Sequence, residues 1–200
     1  PSIARWNLAR FAETLLPLID EDAESAVSLA TEVLDAFQAQ HRACWLGVMR
    51  AKLGLTSQTE ADGTDESLIE DFLTMLHRER LDFTQSFRAL YTLASRQIET
   101  APFFSHVPEF AAWLQRWETS RPKFSDALLE AMRLANPCYI PRNHQVEAAL
   151  EAAVDSGDLS PLKNLLAVVE QPFNESPAYS AYGNPAPQEF TAGYQTFCGT

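Results

Sequence analysis

Residues 68–99 read LIEDFLTMLHRERLDFTQSFRALYTLASRQIE, a stretch that contains neither glycine nor proline. Large apolar residues recur along it every three or four positions, which is the spacing of one buried stripe on an amphipathic helix. These residues are Leu68, Phe72, Leu76, Phe83, Phe87, Leu90 and Ala94. The pattern predicts either one long helix or two helices joined by a bend near Arg80.

The same helical spacing continues on both sides of this stretch. Two helices are predicted before residue 40, each with one buried stripe: Leu8, Phe11, Leu15 and Leu18 in the first, and Ala26, Leu29, Val33 and Phe37 in the second. Later stripes contain Trp113, Trp117, Met132, Ala149 and Leu165. No alternating strand pattern and no repeat of roughly 20 to 50 residues occurs. The sequence therefore predicts an all-α, multi-helix fold.

The character of the chain changes near its end. Residues 171–200 contain four prolines, three glycines and no lysine or arginine. Such a composition is typical of an irregular segment that either packs across the body or stays loose. We therefore predict a helical domain over residues 1–170 and an irregular, proline-rich tail over 171–200 that ends in Cys198.

Composition and charge exclude several classes of protein. The 200 residues are 46% hydrophobic, enough for a core, and carry a net charge of −12. That charge argues against nucleic acid and against an anionic membrane as partners, because both are bound chiefly by lysine and arginine. No apolar run approaches the roughly 20 residues that a membrane span needs. The prediction is a soluble, cytoplasmic protein.

The three cysteines are too few and too scattered for a disulfide framework or a zinc ribbon. Cys44 and Cys138 lie among apolar residues and are predicted to be buried, whereas Cys198 lies in a polar terminus and is predicted to be exposed. Its thiol is interpreted either as inert or as a group that exchanges disulfides with a partner.

No nucleotide-binding or catalytic motif is present. The sequence lacks GxxxxGK[ST], GxGxxG and GxSxG, and its four histidines are not spaced for metal binding. We expect no catalytic, cofactor-binding or metal-binding residue in this chain.

The segment NPCYIPRN, residues 136–143, carries a denser set of polar groups. Asn136 and Pro137 are predicted to end one helix, and Asn143 is placed to cap the next. Arg142 is predicted to be buried, with its guanidinium forked onto carboxylates or carbonyls. A structural role for this arginine is favoured, and ligand binding is the alternative.

Four stretches together resemble one known family. They are IARWNLARFAETLLPLI, which contains Trp6 and Asn7, then NPCYIPRNH, AVDSGDLSPLKNLL and the terminal CGT, and the central RERLDFTQSFRAL also matches. This combination resembles the selenoprotein O family, including its bacterial members with cysteine in place of selenocysteine.

The resemblance implies a protein kinase-like fold that transfers AMP from ATP to Ser, Thr or Tyr of proteins. In that family the residues that bind ATP and Mg or Mn precede the part matched here. The chain would then be the C-terminal part of the large lobe, a piece of a longer protein with a structural and redox-regulatory role. Its partners would be the N-terminal kinase-like catalytic portion and the parent's protein substrates.

The resemblance also implies a role for Cys198, because the family places its selenocysteine or cysteine third from the end. That role is redox control through a disulfide to the catalytic portion. The alternative reading of the whole chain is a free-standing all-helical module that binds a partner protein through an aromatic stripe.

Overall fold

The computed structural model describes residues 1–55, 64–96 and 102–195, most of which are helical. Within these ranges it contains nine α-helices and no β-strand, which confirms the predicted all-α fold. The helices are α1 (Ser2–Ile19), α2 (Ala23–Leu53), α3 (Thr64–Arg78), α4 (Phe83–Arg96), α5 (Phe110–Ser120), α6 (Asp126–Ala135), α7 (Asn143–Ser156), α8 (Ser160–Val169) and α9 (Gln188–Gly193). Short 3₁₀ turns lie at Pro102–Phe104 and Pro177–Gly183.

The chain divides into two compact units. One comprises Pro1–Arg50 and the other begins at Ala51 and runs to the end of the chain. The last turn of α2 therefore belongs to the second unit. The predicted division between residues 170 and 171 stays a prediction.

The first unit consists of α1 and most of α2. Asp22 caps α2, because its side chain accepts a hydrogen bond from the backbone N–H of Ser25 at 2.8 Å. The guanidinium of Arg5 on α1 donates to the carboxylate of Asp35 on α2 at 2.7 Å and to the carbonyl of Leu34 at 3.3 Å. This contact defines the side of α1 that faces α2.

The stripes predicted to be buried in these two helices are mostly exposed. No residue of α1 is buried, and on α2 the side chain of Val33 is 71% exposed although Ala26 is buried. Two helices can cover only the sides that face each other, so a stripe wider than that contact stays open. Helical periodicity predicted the elements correctly and their burial incorrectly.

The central stretch forms two helices rather than one. α3 ends at Arg78, and Arg80 adopts a left-handed conformation with φ of 53°. Asp82 then caps α4, because its carboxylate accepts a hydrogen bond from the backbone N–H of Gln85 at 2.8 Å. The predicted bend near Arg80 is therefore a complete interruption.

An aromatic cluster forms the core of the second unit. The ring of Phe72 stacks on Trp113 at 4.5 Å and meets the edge of Phe87 at 5.2 Å. The indole N–H groups reach carbonyls, from Trp113 to Leu68 at 2.9 Å and from Trp117 to Leu53 at 2.8 Å. The helix pairs α3–α5, α4–α6 and α7–α8 are in contact. Val168 of α8 belongs to a second buried cluster, with Cys138 and Tyr139.

Candidate functional site

Arg142 lies at the N-terminal end of α7 and is buried, with 8% of its surface exposed. Its two terminal nitrogens donate to the carboxylate of Asp82, Nη1 to Oδ2 at 2.8 Å and Nη2 to Oδ1 at 3.0 Å. Nη2 also donates to the carbonyl of Gly183 at 3.1 Å. The guanidinium thus forks onto a carboxylate and a carbonyl, as the sequence predicted, and joins α4, α7 and the 3₁₀ turn.

The fork determines the ionisation of Asp82. Partial burial by itself would raise the pKa of this carboxyl group, but the hydrogen bonds from Arg142 and from the Gln85 backbone outweigh burial. The pKa of Asp82 therefore lies below its ordinary value. The pair is charged at neutral pH, and two charged groups of opposite sign hold three segments together.

Asn136 forms a second polar junction, at the C-terminal end of α6. Its amide nitrogen donates to the carbonyls of Lys52 at 2.8 Å and Met132 at 2.9 Å. In return, the Lys52 ammonium donates to the carbonyl of Ala135 at 2.8 Å and approaches Asn136 Oδ1 at 3.4 Å. Burial lowers the pKa of Lys52. Asn136 therefore satisfies backbone carbonyl groups near the C-terminal ends of both α2 and α6.

Residues 138 and 139, between these junctions, hold the first part of the tail. The backbone N–H of Cys138 donates to the carbonyl of Pro172 at 2.7 Å. The hydroxyl of Tyr139 donates to the Ser176 carbonyl at 3.1 Å and accepts from the Ser176 N–H at 2.9 Å. These bonds pack residues 172–183 along the NPCYIPRN segment.

An open cavity of about 370 Å³ lies where this tail segment meets α4. Arg88 lines the cavity, and its Nη2 donates to the Glu175 carboxylate at 2.6 Å. The other terminal nitrogen, Nη1, is buried without a hydrogen-bond partner among the described residues. Cys138 and Tyr139 also line the cavity. The cavity therefore combines the Arg88–Glu175 ion pair, one thiol and several hydroxyl and amide groups.

The described cysteines differ from the prediction in one respect. Cys138 is buried as predicted, and burial raises the pKa of its thiol, which keeps it protonated and weakly nucleophilic. Cys44 is exposed, so its predicted burial is wrong. The reason is again that little of α2 in the first unit is covered. Cys198, the predicted redox residue, lies outside the described residues.

The other predicted motif residues do not join this arrangement. Asn143 is exposed in the first turn of α7 and makes no capping hydrogen bond, and the capping position belongs to Arg142. Pro137 is half-buried between Asn136 and Cys138. Trp6 and Asn7 are exposed on α1 in the first unit. Of the predicted motif residues, Asn136 and Arg142 therefore form the polar junctions of the second unit, whereas Trp6 and Asn7 belong to the first unit.

Sequence reasoning missed the partners of Arg142 and Asn136. Asp82 was identifiable as a helix cap, since an acidic residue precedes Gln85 by three positions at the start of a helix. Nothing in the sequence pointed to Gly183 or Lys52, because each contact joins segments far apart in the chain.

Two features are absent from the described part of the chain. It contains no group of three or more His, Cys, Asp or Glu side chains placed to hold a metal ion. None of its helices has both the length and the apolar character required to cross a bilayer.

The whole chain is similar to proteins that are named as nucleotidyltransferases. The whole chain is 47% identical to "Protein nucleotidyltransferase YdiU" of Mycolicibacterium paratuberculosis over 205 residues, which are 40% of that protein. It is 44% identical over 203 residues to the protein of the same name from Brevibacillus brevis, again 40% of its length. The relative from Mycolicibacterium smegmatis is 43% identical over 200 residues, 38% of its length.

The family follows from a second comparison. A family model described as "Protein adenylyltransferase SelO" matches residues 1–170. The chain belongs to this family of nucleotidyltransferases, as the resemblance indicated. It spans about 40% of the length of the curated relatives named above.

Proposed function

We propose that this chain is the C-terminal helical region of a protein adenylyltransferase, and that it completes the fold without supplying catalytic residues. The observation that carries the proposal is the coverage: all of the chain matches relatives named as protein nucleotidyltransferases, but only about 40% of their length. The rest of such a protein is then available to hold the nucleotide and the reacting groups.

The polar junctions of the second unit support a structural role. The two terminal nitrogens of Arg142 bond to Asp82 and Gly183, and the amide nitrogen of Asn136 bonds to two backbone carbonyls. These donors serve the fold itself. Their combined effect is to hold α4, α6, α7 and the start of the tail in one arrangement.

The reaction proposed for the full-length parent is transfer of AMP from ATP to a Ser, Thr or Tyr hydroxyl of a protein. The hydroxyl oxygen bonds to the α-phosphorus as its proton passes to a base of the catalytic portion, the bond between the α-phosphorus and the bridging oxygen of the β,γ-diphosphate breaks, and pyrophosphate leaves. ATP and Mg or Mn would be bound by the N-terminal kinase-like portion. The proposed setting is the bacterial cytoplasm.

The proposed redox role rests on Cys198 and on the family resemblance alone. Thiol–disulfide exchange with an oxidised disulfide would join Cys198 to a cysteine of the catalytic portion and leave that disulfide as two thiols. The new disulfide would tether the tail, and a dithiol reductant would reverse the step and release it. In the full-length protein, Cys198→Ser should abolish a shift between reduced and oxidised forms on non-reducing gels. Loss of that shift in Cys44→Ser instead would contradict this role.

The activity is tested by incubating the full-length parent and the isolated chain with Mg or Mn, a protein substrate and ATP labelled on the adenine. The parent should label the protein and release pyrophosphate, and the isolated chain should do neither. ATP labelled on the γ-phosphate should give no protein label. Labelling by the isolated chain, or by the γ-phosphate in the parent, would contradict the proposal.

A further inference from the structure

The outward side of α1 has no partner within the first unit. This 18-residue helix buries none of its residues, and Ile3, Trp6, Phe11 and Leu18 are among the most exposed large apolar side chains of the described chain. Leu18 is 83% exposed and Trp6 is 62% exposed. Large apolar side chains that gather on one exposed surface mark an interaction site more often than chance.

These side chains share one side of the helix. At 3.6 residues per turn, Ile3, Phe11 and Leu18 fall within about 80° of one another, and Trp6 lies about 60° beyond Ile3. Arg5, which bonds to α2, lies at least about 100° from each of the four. The side bound to α2 and the apolar side therefore point in different directions.

Two polar residues complete this surface, which we call the α1 outer face: Ile3, Trp6, Asn7, Arg10, Phe11 and Leu18. Asn7 and Arg10 fall between Trp6 and Phe11 around the helix. The guanidinium of Arg10 lies 5.8 Å from the ring centre of Trp6 and pairs with Glu13 at 2.5 Å. An apolar patch with an arginine and a tryptophan has the composition of a binding hot spot.

The area of the α1 outer face indicates what kind of partner can bind to it. A helix of this length is about 27 Å long and presents a strip about 10 Å wide, or roughly 270 Å². A stable interface between free proteins buries about 800 Å² on each side. A segment of the same polypeptide needs less area, because the covalent link supplies a high effective concentration. A second copy would also carry the same net charge of −12.

We propose that the α1 outer face docks onto the catalytic portion of the same polypeptide. This inference rests on the proposed function, since the occupant is the three fifths of the curated relatives that the chain does not span. The matching surface is expected to be apolar, with a carboxylate or carbonyl groups opposite Asn7 and Arg10. Trp6 and Asn7 thereby gain a role that their exposure on α1 leaves unexplained.

Photocrosslinking in the full-length protein tests the docking directly. Phe11 is replaced by p-benzoylphenylalanine, which has a similar ring, and crosslinked peptides are identified by mass spectrometry after irradiation. Crosslinks to the catalytic portion support the proposal. Crosslinks to residues 51–200, crosslinks between two copies, or none would overturn it. The same replacement at Val33, exposed on α2, is the control and should give few crosslinks to the catalytic portion.

A pair of matched variants gives a second readout. In the full-length protein, Leu18→Asp should increase the rate of limited proteolysis several-fold, whereas Val33→Asp should leave it unchanged. Equal rates for Leu18→Asp and the wild type would overturn the proposal. Neither measurement depends on activity. If the parent does not transfer AMP but Phe11 crosslinks as expected, the proposed reaction fails and the docking inference stands.

Discussion

Arg142 and Asp82 are 60 residues apart in the chain, and their side chains meet in two nearly parallel hydrogen bonds of 2.8 and 3.0 Å. The same guanidinium reaches the carbonyl of Gly183. One side chain therefore connects the start of α4, the start of α7 and the 3₁₀ turn of the tail. The NPCYIPRN segment is therefore a structural junction, and substitutions of its residues should change the stability of the second unit.

Arg142→Ala should destabilise the second unit by about 2 to 3 kcal/mol, because it leaves the Asp82 carboxylate without its charged partner. The expected loss is below that of a fully buried pair, since 21% of the Asp82 side chain remains exposed. Arg142→Lys should lower the free energy of unfolding by a smaller amount, because an ammonium group keeps the charge but cannot make the bidentate fork. Urea unfolding followed by circular dichroism measures both.

A matched control is the exposed pair of Arg116 and Asp71, which lie 2.5 Å apart with about half of each side chain exposed. Arg116→Ala should change the free energy of unfolding much less than Arg142→Ala, because solvent screens exposed pairs. Equal effects of the two substitutions would show that the fork contributes no more than a surface pair.

The lowered pKa of Asp82 predicts a specific pH dependence. Because the pKa is lower in the folded state than in the unfolded state, the stabilisation is present above about pH 4 and is lost as the pH falls through the folded-state pKa. The difference in unfolding free energy between wild type and Asp82→Asn should therefore shrink from pH 6 towards pH 3. A difference that stays constant over that range would contradict the assignment.

The two asparagines of the NPCYIPRN segment should respond differently. Asn136→Ala removes both donors to the carbonyls of Lys52 and Met132, and should cost about 2 kcal/mol because buried acceptors lose their partners. Asn143→Ala should change stability by less than about 0.5 kcal/mol, since an exposed side chain without a capping bond contributes little. Thermal unfolding of both variants decides this, and a larger effect at Asn143 would contradict it.

Two glycines with left-handed backbone allow a packing test. Gly54 has φ of 65°, and an added Cβ would lie 3.2 Å from Phe124 and 3.3 Å from Met132. Gly157 has φ of 69°, and an added Cβ there meets nothing within 4 Å. Both alanine variants incur the left-handed cost of about 1 kcal/mol, and only Gly54→Ala should add a packing cost. Similar losses in urea unfolding would refute this difference.

The described thiols should react at different rates. Cys44 is exposed, whereas Cys138 is buried with a raised pKa, so a thiol reagent at pH 8 should modify Cys44 well before Cys138. Denaturant should remove the difference. Peptide mapping assigns the label, and faster modification of Cys138 in the native protein would show that the cavity admits the reagent freely. The reactivity of Cys198 in the same experiment tests its predicted exposure.

Periodicity was sufficient to predict α1 to α8 but not α9, which lies in the segment predicted to be irregular. The stripe of Leu68, Phe72 and Leu76 is buried as expected, and Phe87 and Leu90 continue it beyond the interruption. The break itself was predicted only as a bend, because the left-handed Arg80 is not a glycine and carries no strong local signal. The local sequence thus determined that these segments are helical, and tertiary contacts determined where α3 ends and α4 begins.

By itself, the sequence determined the all-α class, the helical stripes and the family, since each is encoded in residue spacing or in short motifs. Tertiary structure alone decided that Arg142 pairs with Asp82 and Gly183, that Lys52 meets Asn136, and that α1 keeps an open apolar face. The physical reason is the same in each case. A periodic pattern specifies which side of a helix is apolar, whereas only the folded chain specifies what lies against that side.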